Sequence, residues 1–247
     1  MLRQRIIFSL IYNNGFFCQS RNFRLQKVGD VNWLNNNYNF KKIAFSLDEL
    51  VILNTSNDIK NFVLVLEKLV DSVFIPISAG GGIRTFEDAK LLFEYGADKI
   101  VINTILYTNP NLVKKLVEHF GSQSIVASID YKDDKVFIEN GTKEVDELEN
   151  CLEYIQTLNI GEIYLNSIDK DGTGFGYDIE TITEIKNKIK TPLIIAGGAG
   201  TKYHLQEGLK FADAVATANL FNFIGDALPQ AREMILENGG NLAKWKI

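Results

Sequence analysis

Three groups of residues have types and spacing that could do chemistry. Asp130 closes an apolar run, Ser124-Ile125-Val126-Ala127-Ser128-Ile129-Asp130, with few cations close to it in sequence. A carboxyl at a strand exit suits a general acid or base, although such an Asp also serves as a helix cap or loop ligand. Two glycine-rich turns, Ser78-Ala79-Gly80-Gly81-Gly82-Ile83 and Ile195-Ala196-Gly197-Gly198-Ala199-Gly200, each end an apolar run. Lacking side chains, their backbone N–H groups can approach an anion together with the next helix N-terminus; the plainer reading is a tight turn. The last group is Arg5, Glu49, Lys99 and Glu162, each at or just before the start of an apolar run. Two cations and two anions around one axis can close into a ring, whereas separately they would be weak surface charges.

Other chemistries are excluded or disfavoured. Neither glycine turn is followed by Gly-Lys-Ser/Thr or has G-x-G-x-x-G spacing, which argues against nucleoside triphosphates and NAD. Asp169 to Glu180 partly imitates a calcium loop, but it follows a strand pattern, so no metal or other cofactor is expected. His119 and His204 lack any nucleophile motif and read as helix-surface or cap residues. Cys18 and Cys151 are too few for a disulfide framework and fit a reducing cytoplasm. A net charge of -5 without a basic tract disfavours nucleic acid, while phosphorylated small molecules remain compatible with backbone amide sites. The apolar stretch from Ile6 to Tyr12 reads as a first strand, and no run approaches the roughly 18 residues of a membrane span.

The positioning elements follow from a repeat. Gly81-Gly82 recurs as Gly197-Gly198, a spacing of 197 − 81 = 116, and Pro76 with Pro192, Ala97-Asp98 with Ala212-Asp213, and Asn103-Thr104 with Ala218-Asn219 keep nearly the same offset. Eight short apolar runs read as strands: Arg5 to Ile11, Glu49 to Asn54, Ile75 to Ala79, Lys99 to Asn103, Ser124 to Asp130, Glu162 to Asn166, Pro192 to Ala196 and Ala214 to Ala218. Amphipathic helical patterns lie between them, such as Thr85 to Tyr95 and Asn109 to Phe120. The pattern predicts an α/β protein, a single (β/α)8 TIM barrel over residues 1–247 with half-barrels of about 1–121 and 122–247. Its chemistry belongs at the strand exits.

Four stretches, Ala79-Gly80-Gly81-Gly82-Ile83-Arg84, Gly96-Ala97-Asp98-Lys99, Phe120-Gly121-Ser122-Gln123 and Ser167-Ile168-Asp169-Lys170-Asp171-Gly172-Thr173, carry a resemblance. Over essentially its whole length the chain resembles the cyclase subunit family of imidazole glycerol phosphate synthase, from histidine biosynthesis. The resemblance implies a glutaminase partner at the barrel's bottom, from which ammonia crosses the interior to a bisphosphate substrate at the top. It assigns Arg5, Glu49, Lys99 and Glu162 to the ammonia gate and Asp98 to the partner interface. It makes Asp130 one of two catalytic aspartates, and Gly81, Gly82, Asn103, Thr104, Asp171, Gly172, Gly197, Gly198 and Asn219 phosphate- or substrate-binding.

The chain departs from the family where the second aspartate should stand. The family's Cys-Leu-Asp-Val is Ser9-Leu10-Ile11-Tyr12, and the lysine of the first loop is replaced within Phe17-Cys18-Gln19-Ser20. Asn54 replaces Asp, Asn166 Thr, Ala196 Ser and Asn219 Ser. The pattern resembles divergent homologues that accompany a glutaminase and a separate amidotransferase in bacterial surface-sugar biosynthesis, a resemblance that makes an ammonia-conducting barrel the leading expectation. An active cyclase-lyase and the related phosphoribosyl isomerase are the alternatives.

Overall fold

The computed structural model describes residues 3–37, 44–56, 58–218 and 227–244. In chain order its strands are β1 (Arg5–Asn13), β2 (Phe16–Arg21), β3 (Arg24–Gly29), β4 (Glu49–Asn54), β5 (Ile77–Gly80), β6 (Lys99–Ile102), β7 (Ile125–Lys132), β8 (Lys135–Ile138), β9 (Lys143–Glu147), β10 (Glu162–Ser167), β11 (Leu193–Ala196) and β12 (Ala214–Thr217). The helices are α1 (Val31–Asn37), α2 (Ile59–Val70), α3 (Phe86–Glu94), α4 (Ile105–Thr108), α5 (Pro110–Phe120), α6 (Leu148–Thr157), α7 (Ile179–Lys186), α8 (Lys202–Gly208) and α9 (Ala227–Glu237).

Strands β1, β4, β5, β6, β7, β10, β11 and β12 pair in parallel in that order, and β12 pairs back onto β1. This is the expected closed (β/α)8 barrel. Local chemistry explains its helices: Thr85 and Asp88 form a reciprocal capping box at α3, and Asn109 caps α5 ahead of Pro110. No helix among the described residues is long and apolar enough to cross a membrane.

Four strands were not foreseen. After β1 and after β7 the chain turns back into antiparallel hairpins, β2–β3 and β8–β9, before reaching a helix. Asn14-Gly15 and Asp133-Asp134 both hold left-handed backbone, the conformation that closes a two-residue hairpin. The two hairpins are thus repeat-related additions above the barrel.

Because the strands are buried on both faces, they build two cores. Outward residues such as Ile6, Phe8 and Leu10 pack in one cluster with helix residues including Phe62 and Leu66. Inward residues form a separate lumen cluster. The strand register sorts inward residues into layers of four, each drawn from alternate strands. From the bottom these are Glu49, Lys99, Glu162 and Ala214; then Ile7, Ser78, Val126 and Ile194; then Val51, Val101, Tyr164 and Ala216; then Ser9, Gly80, Ser128 and Ala196; then Leu53, Asn103, Asn166 and Ala218. Ile11 and Asp130 stand above them.

Candidate functional site

At the bottom, the four charges meet as an alternating ring. Arg5 reaches Glu49 at 2.8 Å and Glu162 at 2.6 Å, while Lys99 reaches Glu49 at 3.1 Å and Glu162 at 2.8 Å. Arg5 lies one strand from Ala214, whose small side chain leaves the fourth place in the charged layer open to the guanidinium. Ser78, in the layer above, donates to the other oxygen of the buried Glu49. Burial on its own lowers the Arg5 pKa, but the charges of Glu162 and Glu49 outweigh it and hold the guanidinium above its ordinary value.

Asp98 is exposed at the same end, with a carboxylate oxygen accepting from the Ile77 N–H at 2.8 Å. Asp48 accepts likewise from Ile6 and Asp213 from Leu193. Asp98 therefore has a structural task, fixing the start of one strand against the next, whatever else it touches.

At the top, a cavity of about 1070 Å³ is lined by Gly81, Gly82, Asn103, Thr104, Asp130, Asp171, Gly172, Gly197 and Gly198. All nine are residues singled out from sequence; Asn219 lies outside the described residues. The four turn glycines have φ of +92, +78, +88 and +104°, so the two turns share one left-handed geometry. A Cβ on Gly81 or Gly198 would overlap a neighbouring carbonyl, of Asn54 and Gly176 respectively. Close backbone approach alone accounts for those two glycines.

Asp130 accepts from Asn166 Nδ2 at 3.1 Å and from Asn103 Nδ2 at 3.3 Å. Burial pushes its carboxyl up to about 7; the Asn166 hydrogen bond opposes the rise and the charge of Asp171 adds to it. Asp130 can therefore hold or release a proton near neutral pH. Across the lumen, Ile11 offers no second carboxyl. Asp171 is occupied, accepting from Ser20 Oγ and from the Phe23 N–H at 3.1 Å.

The comparisons fit this geometry. Residues 35–224 match the family described as Histidine biosynthesis protein. The chain belongs to that family. A Parasynechococcus marenigrum (strain WH8102) protein provisionally named imidazole glycerol phosphate synthase subunit hisF2 is 46% identical, over 100% of this chain and 96% of its own. Imidazole glycerol phosphate synthase subunits HisF of Sulfurisphaera tokodaii and Chlorobium phaeovibrioides are 37% and 36% identical, each over 97% of this chain and 98% of the relative. Within the family, this is a HisF-like cyclase-subunit chain.

On that family scaffold the structure adds Thr217 and Tyr164, which sequence reasoning missed, and gives Asn54 a place in the site. Asn54 Nδ2 and Thr217 Oγ1 are buried at the cavity wall with no hydrogen-bond partner among the described residues. Asn54 ends a predicted strand, where the chemistry is expected, and also replaces the family's Asp; Thr217 gave no signal. Tyr164 occupies the lumen's third layer, its hydroxyl 2.9 Å from Ser9 Oγ. Its signal was an aromatic two residues after Glu162, on the same face of β10.

Proposed function

We propose that this chain is the barrel subunit of a glutamine-dependent complex, taking ammonia from a glutaminase at its bottom and conducting it to a synthase reaction at its mouth. The acceptor in this reading is a surface sugar, amidated by a separate amidotransferase. The observation that carries it is the contrast between the two ends. The charged ring is complete, whereas at the mouth Asp130 is faced by Ile11 and the other aspartate there, Asp171, is taken up by Ser20 and Phe23. Ammonia entry requires one ion pair to part, and the lumen above is largely apolar, which favours the uncharged molecule over ammonium. Loss of one of two acid–base groups costs orders of magnitude in turnover but nothing in conduction. The two glycine turns would retain a phosphorylated ligand at the mouth.

Incubation with the HisF bisphosphate substrate and concentrated ammonium salt at alkaline pH bypasses any glutaminase. No substrate loss is expected, with activity returning only when Ile11→Asp and Gln19→Lys are introduced together, or not at all. Turnover abolished by Asp130→Asn would instead establish an active cyclase, the second reading, which the position of Asp130's pKa near 7 favours.

A further inference from the structure

Between the charged ring and the mouth, the lumen is not uniformly apolar. The mouth cavity descends past Ser128 and Ser9 to Val101, Tyr164 and Ala216, and none of Ile7, Ser78, Val126 or Ile194 lines it. Its floor is therefore the layer containing Tyr164. In that layer Tyr164 is the one large side chain, beside Val51, Val101 and Ala216. The layer above it is unusually small, made of Ser9, Gly80, Ser128 and Ala196, where barrels commonly place bulky branched residues. Tyr164 rises into that space, 3% exposed, and its hydroxyl meets Ser9 on β1 from β10 across the barrel.

We propose that Tyr164 is an inner valve of the lumen, latched by Ser9, that separates the wet mouth from the dry segment above the charged ring and opens for a small neutral hydrogen-bonding molecule. For the passage of ammonia this rests on the conduit reading given above. Parting the latch would ordinarily strand two buried hydroxyls. Ammonia avoids that cost, since its nitrogen accepts from one hydroxyl while an N–H donates to the other. Ser78 lies below this point, and Ser128, Asn103 and Asn166 lie above it, so the passing molecule meets a polar side chain at successive levels. An all-hydrocarbon plug would offer no such exchange.

The test places a reporter beneath the valve. Ser78→Cys is nearly isosteric, and its modification by methyl methanethiosulfonate can be followed by peptide mass spectrometry, apart from Cys18 and Cys151. With Tyr164 present, modification should be slow; in the Tyr164→Leu background it should be at least tenfold faster, and Ser9→Ala, which removes only the latch, should fall between them. A circular dichroism melt checks folding, and Ser9→Ala carries the test if Tyr164→Leu does not fold. Equal rates in all backgrounds would overturn the seal while leaving the conduit reading untouched. The valve's role in transfer is read in the glutaminase complex, as acceptor product formed per glutamate released. Tyr164→Trp should lower that ratio at least tenfold with glutamate release unchanged, and an unchanged ratio would overturn the role. A ratio near zero in the unmutated complex would sink the conduit reading instead, with the accessibility result still standing.

Discussion

Asp130 shows what the barrel does to a single carboxyl. An exposed Asp titrates near about 3.9, whereas burial at the mouth moves this one to about 7, and the hydrogen bond from Asn166 only partly restrains it. Because the folded pKa is raised, the group's favourable contribution is complete below about pH 4 and is lost as pH rises to about 7. The full linkage would be about 1.4 kcal/mol per unit; water in the open mouth screens the charge, so about 2 kcal/mol is the reasonable scale. The denaturation midpoint should therefore fall between pH 4 and pH 7 in the unmutated chain, and this component of the fall should vanish in Asp130→Asn. Identical pH profiles for the two proteins would show that Asp130 is ionised throughout and cannot act as an acid.

The β2–β3 hairpin decides how covered that mouth is. Asn22 donates to the carbonyls of Ile168 and Asp169 at 3.0 Å each, Asp171 holds Ser20 and Phe23, and Gly172 lies against the Ser20 carbonyl with φ of +67°. A methyl group at Gly172 would collide with that carbonyl and strain its own backbone, so Gly172→Ala should lift the hairpin. Limited proteolysis should then cut near Asn22-Phe23 at least tenfold faster with the barrel intact; an unchanged rate would mean that the hairpin is held elsewhere. The hairpins mark the boundary of what is legible in the chain. Repeated turns and apolar runs placed all eight barrel strands within two residues, because a strand buried on both faces must be continuously apolar. Asn14-Gly15 and Asp133-Asp134 are short hairpin signals, but they read equally well as the loop that ends a barrel strand. The bottom ring was legible because strand starts share one end of a parallel barrel. The meeting of Tyr164 and Ser9 depends on the register accumulated around the closed sheet, which no local pattern carries.

At the scale of the whole molecule, two ionic arrangements occupy the barrel's bottom, and their surroundings differ. Arg232 on α9 is 5% exposed and grips both oxygens of Asp48 at 2.9 Å, while also donating to the carbonyls of Ser46 and Ala243. Asp48 in turn receives the Ile6 N–H, so one cluster ties β1, the approach to β4, α9 and the chain beyond it. Breaking a buried pair from one side leaves an uncompensated charge and typically costs about 3 to 5 kcal/mol. Lys99 is partly exposed, and after its removal Arg5 still pairs with both Glu49 and Glu162. Lys99→Met should accordingly cost about 1 kcal/mol, closer to a surface pair than to a buried one. Urea denaturation should thus rank Arg232→Met well below Lys99→Met in stability. Glutamine-coupled product formation in the complex should rank them the other way at temperatures where both remain folded. If Lys99→Met proved as damaging to stability as Arg232→Met, the charged ring would be a structural clamp of the barrel, and its completeness would no longer speak for ammonia entry.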